Sequence, residues 1–187
     1  MTVPLPKGSL NEMSTSYQHQ LTGGHPNSLG NTVAVVEDVL AHPERMEELF
    51  NCYFCEDEVV RLRTSNACKR IAKAKPEIIV PYLDRFLTEV AKIDQASAQW
   101  TLAQLLLILD EFTTSEQEKQ ALPILKRNLL ENEDWIVLNA SMETLKHYTS
   151  KYPEIKTWFV PQLEELARDK RKSVARRAQK YLAELQK

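Results

Sequence analysis

Glycine is scarce in this sequence and unevenly placed. Gly8, Gly23, Gly24 and Gly30 are all there is, so no turn after residue 30 can rely on a glycine, and a Gly-rich phosphate-cradling loop is excluded from the rest of the chain. Cysteine is nearly as rare. Three of them, an odd number in a chain with no recognisable export signal, point to reduced thiols and a cytoplasmic setting. No charged flank followed by an apolar run of about 7–15 residues opens the sequence, which predicts no secretory leader. Long hydrophobic runs are missing as well. Residues 105–109, with Leu102 and Ala103 before them, fall far short of the ~20 apolar residues of a membrane span. Neither sign of charge dominates, with 24 Lys and Arg against 26 Asp and Glu. That balance, in a chain long enough for one domain with a real core, suits a soluble protein.

What the chain does have is a recurring apolar pattern. Val60, Thr64, Ala67, Cys68 and Ile71 follow the i, i+4, i+7, i+8, i+11 spacing of one helix face. Advancing each number by 38 gives Ala98, Leu102, Leu105, Leu106 and Leu109, and a third such step ends on Val174, Ala178, Tyr181, Leu182 and Leu185. The copy between them is the weakest. It reads Ile136, Ala140, Glu143, Thr144 and His147, with Leu145 and Tyr148 carrying apolar weight one place along. Repeats of this length stack, because one unit alone cannot bury its apolar face.

Taken in order, residues 1–31 hold Pro4, Pro6, Pro26 and every glycine and show no sustained helical period, which predicts a mobile arm with at most a short docking segment. Residues 32–187 are expected to form a single repeat domain. Asn31 reads as an N-cap for a helix over residues 32–41, and Pro43 opens a helix over 43–54. Glu56 and Asp57 suit the start of a helix over 58–75. Helices follow over 76–93, over 95–112 capped by Asp94, from Ser115 to about Leu130 behind a capping box at Ser115–Glu118, over 135–151 behind Asp134, from Pro153 to Asp169, and over 172–186. Pro43 and Pro81 lie 38 apart, as do Pro123 and Pro161, but Pro81 and Pro123 are separated by 42. The extra four residues are about one helical turn, and prolines within first helices predict kinks there.

A two-helix unit with a proline in its first helix and a Val-Arg start to its second resembles the HEAT repeat. The likeness is carried by residues 57–71 (Asp-Glu-Val-Val-Arg-Leu-Arg-Thr-Ser-Asn-Ala-Cys-Lys-Arg-Ile), by 76–83 (Pro-Glu-Ile-Ile-Val-Pro-Tyr-Leu), and by Val174, Arg176, Ala178 and Leu182 within 169–182. The resemblance runs from Thr32 to the C-terminus. It implies an all-α, right-handed superhelix of about four helix pairs plus an extra N-terminal helix, used as a scaffold or binding surface, with the second helices lining the concave side. The middle units depart from the pattern, because Gln99 and Val137 stand where the first has Arg61. A continuous Arg–Asp ladder between repeats is therefore not implied.

Opposite the apolar face, the second helices present Leu62, Asn66, Lys69 and Lys73, then Trp100, Gln104, Leu107 and Glu111, then Leu138, Met142, Leu145 and Thr149, and last Arg176, Lys180, Ala183 and Lys187. The expected groove is apolar in its middle, at Trp100, Leu107, Leu138 and Met142, and basic at both ends. Such a surface fits an amphipathic or extended peptide whose acidic groups meet Lys69, Lys73, Arg176 and Lys180. The plain alternative is burial of these residues between stacked neighbours. The basic clusters at 59–75 and 168–187 also fit nucleic-acid backbone binding. Some HEAT-like proteins are DNA glycosylases, and Trp100 with Asp94 or Asp110 invites that comparison. Nine acids against four bases over residues 94–147 interrupt the positive stripe and count against both nucleic-acid readings.

Cys52-x-x-Cys55 has the spacing of a redox or metal motif, but it stands at a helix end, where the dipole opposes a thiolate, and neither Cys68 nor His42 completes a zinc set. No histidine has a nucleophile at convincing spacing. The sequence thus predicts a non-enzymatic protein- or peptide-binding module without cofactor, metal or membrane partner.

Overall fold

The computed structural model describes residues 16–25 and 27–186, and within them every regular element is helical, with no strand. Tyr17–Leu21 (α1) and Thr32–Ala41 (α2) come first, followed by Met46–Asn51 (α3), which is flanked by single 3-10 turns at Pro43–Arg45 and Cys52–Phe54. Glu58–Ala74 (α4) begins at Asp57, whose Oδ1 accepts from the amides of Val59 at 2.8 Å and Val60 at 3.4 Å. These bonds satisfy donors that the first helical turn leaves open.

The next first-helix position is broken. Pro76–Ile79 (α5), a 3-10 turn at Val80–Tyr82 containing Pro81, and Leu83–Thr88 (α6) take the place of one continuous helix. Ala96–Ile108 (α7) follows. Its N-cap is Gln95 rather than the expected Asp94. Ser115–Glu131 (α8) does carry a capping box, one residue earlier than expected: the Gln117 amide donates to Thr114 Oγ1 at 3.2 Å, and the Thr114 amide to Gln117 Oε1 at 3.0 Å. Trp135–Lys151 (α9) starts behind Asp134, which accepts from Ile136 and Val137. Ile155–Leu166 (α10) and Lys172–Leu185 (α11) complete the chain. Pro123 and Pro161 lie inside α8 and α10 without interrupting them. Equivalent prolines therefore break the first helix early in the chain and are absorbed late in it.

The long helices α4, α7, α9 and α11 pack side by side in that order, and α2 extends the row beyond α4. Against them, α8 lies on α9 and α6, and α10 on α11 and α9. The interior follows the apolar pattern in α4 and α7, where Val60, Ala67, Cys68, Ile71, Ala98, Leu102, Leu105, Leu106 and Leu109 are all buried. In α9 the pattern slips by one residue. Glu143 and His147 do not enter the core; Leu145 and Tyr148 do, at 0% exposure each. The polar side chains go instead to the rim, where Glu143 meets Arg177 at 2.8 Å and His147 Nε2 lies 3.0 Å from Asp110.

Within the stretch that the sequence assigns to an arm with at most a short docking segment, α1 packs against the fold. Tyr17 and Leu21 of α1 are fully buried, the Tyr17 hydroxyl donates to Asp38 at 2.6 Å, and the Arg45 guanidinium lies 4.0 Å from the ring centroid of Tyr17. Residues 1–15, Pro26 and Lys187 are outside the described residues. The loop between α1 and α2 is tied down by one side chain from α4. Arg63 is 1% exposed, and its guanidinium donates to the carbonyls of Leu21 (2.7 Å), Thr22 (3.3 Å), Gly23 (2.6 Å), His25 (3.3 Å) and Ser28 (3.2 Å). Gly30 makes this approach possible. Its φ is +51°, and a Cβ there would come within 2.9 Å of the Arg63 guanidinium carbon.

Candidate groove between the second helices

Along α4, Asn66, Lys69, Arg70 and Lys73 follow i, i+3, i+4, i+7 spacing and so share a face. Opposite them α7 presents Gln104, Leu107 and Ile108, and α9 contributes Glu143 at the far rim. Together they line a groove of about 680 Å³. Lys69 reaches across it, its Nζ donating to Gln104 Oε1 at 2.9 Å. Burial, followed by the neighbouring charges of Lys73 and Arg70, holds the Lys69 amine below the ordinary lysine range. Among the described residues no carboxylate pairs with Lys69, Arg70 or Lys73. Glu143, the acid of the lining, is engaged by Arg177 Nη1 at 2.8 Å.

The surface expected from the sequence is brought together only in part. Lys69, Lys73 and Leu107 line the groove. Leu62 and Trp100 are half-buried on α4 and α7. Leu138 and Met142 are not surface at all. At 1% and 0% exposure they belong to the core, because α9 is enclosed by α7, α8, α10 and α11 and buries a wide arc. Arg176 and Lys180 are exposed on α11, at the other end of the row and outside the groove lining. The apolar middle of the expected groove is therefore filled by packing, and one basic end survives as a concave site.

A second cleft, about 260 Å³ and lined in part by Gln99, Arg127 and Asn128, is held by bonds among its own walls. Gln99 Nε2 donates to Ile93 O at 2.8 Å and Arg127 Nη2 to Ala91 O at 2.9 Å, while Gln99 Oε1 accepts from Arg127 and Asn128 at 3.1 Å each. Asp94 lines this cleft and Trp100 is not part of it. Asp110, the other acid suggested beside Trp100, is bonded by Lys151 at 2.5 Å. Burial pushes its carboxyl up, but Lys151 and His147 outweigh that and hold it below the usual carboxylate range. The structure thus gives Asp110 partners of its own and places Asp94 in a cleft that Trp100 does not line.

The thiols are packed away. Burial pushes Cys52 and Cys68 up to about 12 each, so both are protonated at neutral pH. Cys52 Sγ donates to Glu48 O at 3.4 Å. Among the described residues no group of three His, Cys, Asp or Glu side chains is placed to hold a metal ion, and no helix is long and apolar enough to cross a membrane.

Arg63 belongs to the basic cluster at 59–75, but its guanidinium is buried against the loop after α1. Its true role had a signal in the repeat. Advancing 38 places from Arg63 reaches Thr101, then Asn139, then Arg177, and the first three of these positions are buried. The position faces the preceding unit, and Arg177 there donates to Asn139 O at 3.2 Å. No family model, curated protein or solved structure matches the chain.

Proposed function

We propose that this chain is a short right-handed α-solenoid of HEAT-like helix pairs that works as a non-enzymatic binding module, taking a segment of a partner protein in the groove between α4 and α7. The repeat-stack half of this reading is supported by the bonds that join different units. Arg61–Gln95, Lys69–Gln104, Arg85–Glu47, Arg127–Ala91, Lys151–Glu118 and Arg177–Asn139 span 33–38 residues, which is close to the sequence period. Each unit thus grips its neighbour, as a stack requires. Arg61 donates to Cys55 O and Gln99 to Ile93 O, so the same position braces the same turn in successive units although the residue type differs.

The binding half rests on one observation: an open groove of about 680 Å³ that joins three cations without carboxylate partners to an apolar wall of Leu107 and Ile108. Groove size and mixed lining suit a peptide segment. Selection of random displayed peptides on the full chain tests it. Selected peptides should lose roughly tenfold or more in affinity for a Leu107→Asp variant of unchanged thermal stability. A selection that yields no binder, or binders indifferent to Leu107→Asp, sinks the reading.

Nucleic-acid binding is the second reading, favoured by the same cations. Its mark is affinity that falls steeply with salt as phosphate contacts release counterions. The acidic rim at Glu143 and the acids Asp110 and Glu111 at the end of α7 oppose it.

A further inference from the structure

Resting on the peptide-binding reading, we infer that the occupant of the groove is an acidic protein segment, whose carboxylates meet Lys69, Arg70 and Lys73 and whose aliphatic side chain lies on Leu107 and Ile108. The groove is rich in donors. Lys69 and Lys73 offer ammonium groups and Arg70 a guanidinium fork, none of which can accept. Gln104 spends its oxygen on Lys69 at 2.9 Å, which fixes the amide with its NH₂ as the end left to donate. An arriving group must therefore be mainly an acceptor, and three adjacent cations ask that it be negative.

Among the described residues no carboxylate answers these charges. Several cations elsewhere are matched: Lys146 with Glu184, Arg85 with Glu47 and Glu89, Arg171 with Asp169. At the groove, burial and after it the neighbouring cations Lys73 and Arg70 hold the Lys69 amine below its ordinary range. Carboxylates brought by a partner relieve that repulsion in a half-buried site, where charge attraction is stronger than in bulk water.

The far rim gives the site a direction. Glu143 sits across from the cations and is tied to Arg177, so a carboxylate is attracted at the α4 wall and finds no free cation at the α9 rim of the lining. Lys69 and Lys73 lie one helical turn apart, about 6 Å along the axis. Carboxylates at i and i+4 of a helical segment, or at i and i+2 of an extended one, match that spacing. The apolar wall then selects a Leu- or Ile-like side chain beside the acids. A run of phosphates has no group for that wall and must cross Glu143, which is why the segment is assigned to protein and not to nucleic acid.

The test is fluorescence anisotropy with the full chain and three labelled probes: a short peptide with Glu at i and i+4 and Leu at i+3, its counterpart with Gln for Glu, and a single-stranded oligonucleotide of equal charge. The acidic peptide should bind, the Gln peptide should bind roughly tenfold or more weakly, and Lys69→Glu with Lys73→Glu should abolish the difference. Arg176→Glu with Lys180→Glu, on the exposed face of α11, should leave the acidic peptide within about twofold, which controls for net charge. Equal binding of both peptides, lost in Leu107→Asp, overturns the acidic occupant and leaves the peptide-binding reading standing. Failure of the acidic peptide to bind at all overturns the acidic occupant. Tighter binding of the oligonucleotide, reversed by Lys69→Glu, overturns both.

Discussion

The helix α4 and the carboxy-terminal helices α9 and α11 all carry cations but dispose of them differently. On α4, Arg63 donates to five backbone carbonyls, Arg61 to Gln95 and Cys55 O, and Lys69 to Gln104. None of these partners is a carboxylate. On α9 and α11, Lys146 pairs with Glu184, Lys151 with Asp110 and Glu118, and Arg177 with Glu143. Lys146, Lys151 and Arg177 are thus answered by carboxylates within the fold, and the α4 cations are not. A cation held by carbonyls keeps its full charge, since dipoles orient it without cancelling it. The field of α4 therefore remains available to a partner, while that of α9 is spent within the fold.

The sharpest way to break this comparison is to remove the carbonyl-bound arginine. Arg63→Ala strips five carbonyls of their donor in a buried setting, and a loss of about 3–5 kcal/mol is expected in chemical denaturation. Cleavage by protease between Gly23 and Gly30 should accelerate with it. Arg63→Lys should recover little, because an ammonium lacks the planar fork that reaches both sides of the loop. By contrast Arg177→Ala, whose partner Glu143 is 51% exposed, should cost under about 1 kcal/mol. Equal losses at the two arginines would erase the distinction drawn between the helices.

Next in size is a carboxylate-bound cation that is not at the surface. The Glu118 side chain is 5% exposed and accepts from Lys151 Nζ at 2.5 Å and from the Tyr152 hydroxyl at 2.6 Å. Lys151→Met leaves that carboxylate with one partner, and about 2–3 kcal/mol should be lost. In the double variant with Glu118→Gln most of that loss should return. If the double variant is no more stable than Lys151→Met, Glu118 is not charged in the fold.

How much of this was legible beforehand follows from the range of each interaction. The second helices were readable because burial against two neighbours imposes one face per helix, and in α4 and α7 that face carries Val60, Cys68, Leu102 and Leu106 without interruption. In α9 the same count failed by one residue at Glu143 and His147, since a helix enclosed on several sides has no single apolar stripe to phase by. That enclosure is also why Leu138 and Met142 looked like surface and proved to be core. Caps were readable where an acid precedes the helix, as at Asp57 and Asp134. They were misplaced at residues 94 and 115, where adjacent polar residues compete for the same role. The hold of Arg63 on the loop after α1 was not readable, because it depends on Arg63 finding carbonyls some 35–42 positions away, and carbonyls leave no mark in a sequence. Much of the groove lining was visible, in Asn66, Lys69, Lys73, Gln104 and Leu107. Arg70, Ile108 and Glu143 join it through the contacts between helices.

Gly30 offers a milder probe of the same end of the row. Its positive φ and the 2.9 Å approach of a Cβ to Arg63 both oppose a side chain, so Gly30→Ala should destabilise by about 1–2 kcal/mol. Gly23 shares the positive φ but has open space around it, and Gly23→Ala should cost only about 1 kcal/mol. A larger loss at Gly23 than at Gly30 would mean that Arg63 does not occupy the loop as described.

The smallest effect concerns acid, and it falls on the Asp169–Arg171 pair ahead of α11. Arg171 bonds Asp169 through its guanidinium and its backbone amide, holding that carboxyl down to about 2. A carboxyl near 3.9 when unfolded and lower when folded contributes stability that is complete above the unfolded value and is lost as pH falls through the folded one. The window is thus from about pH 4 down to about pH 2. The pair is near solvent, so screening limits its contribution to about 1 kcal/mol. In Asp169→Asn the acid limb of the stability curve should flatten by that amount between those pH values, with little change in the slope above pH 5. Lys69→Gln should leave the acid limb unchanged, because no carboxylate on α4 depends on that amine. An acid limb that flattens equally in both variants would show that Lys69 has a carboxylate partner in solution, and the contrast between the α4 cations and those of α9 would then fail.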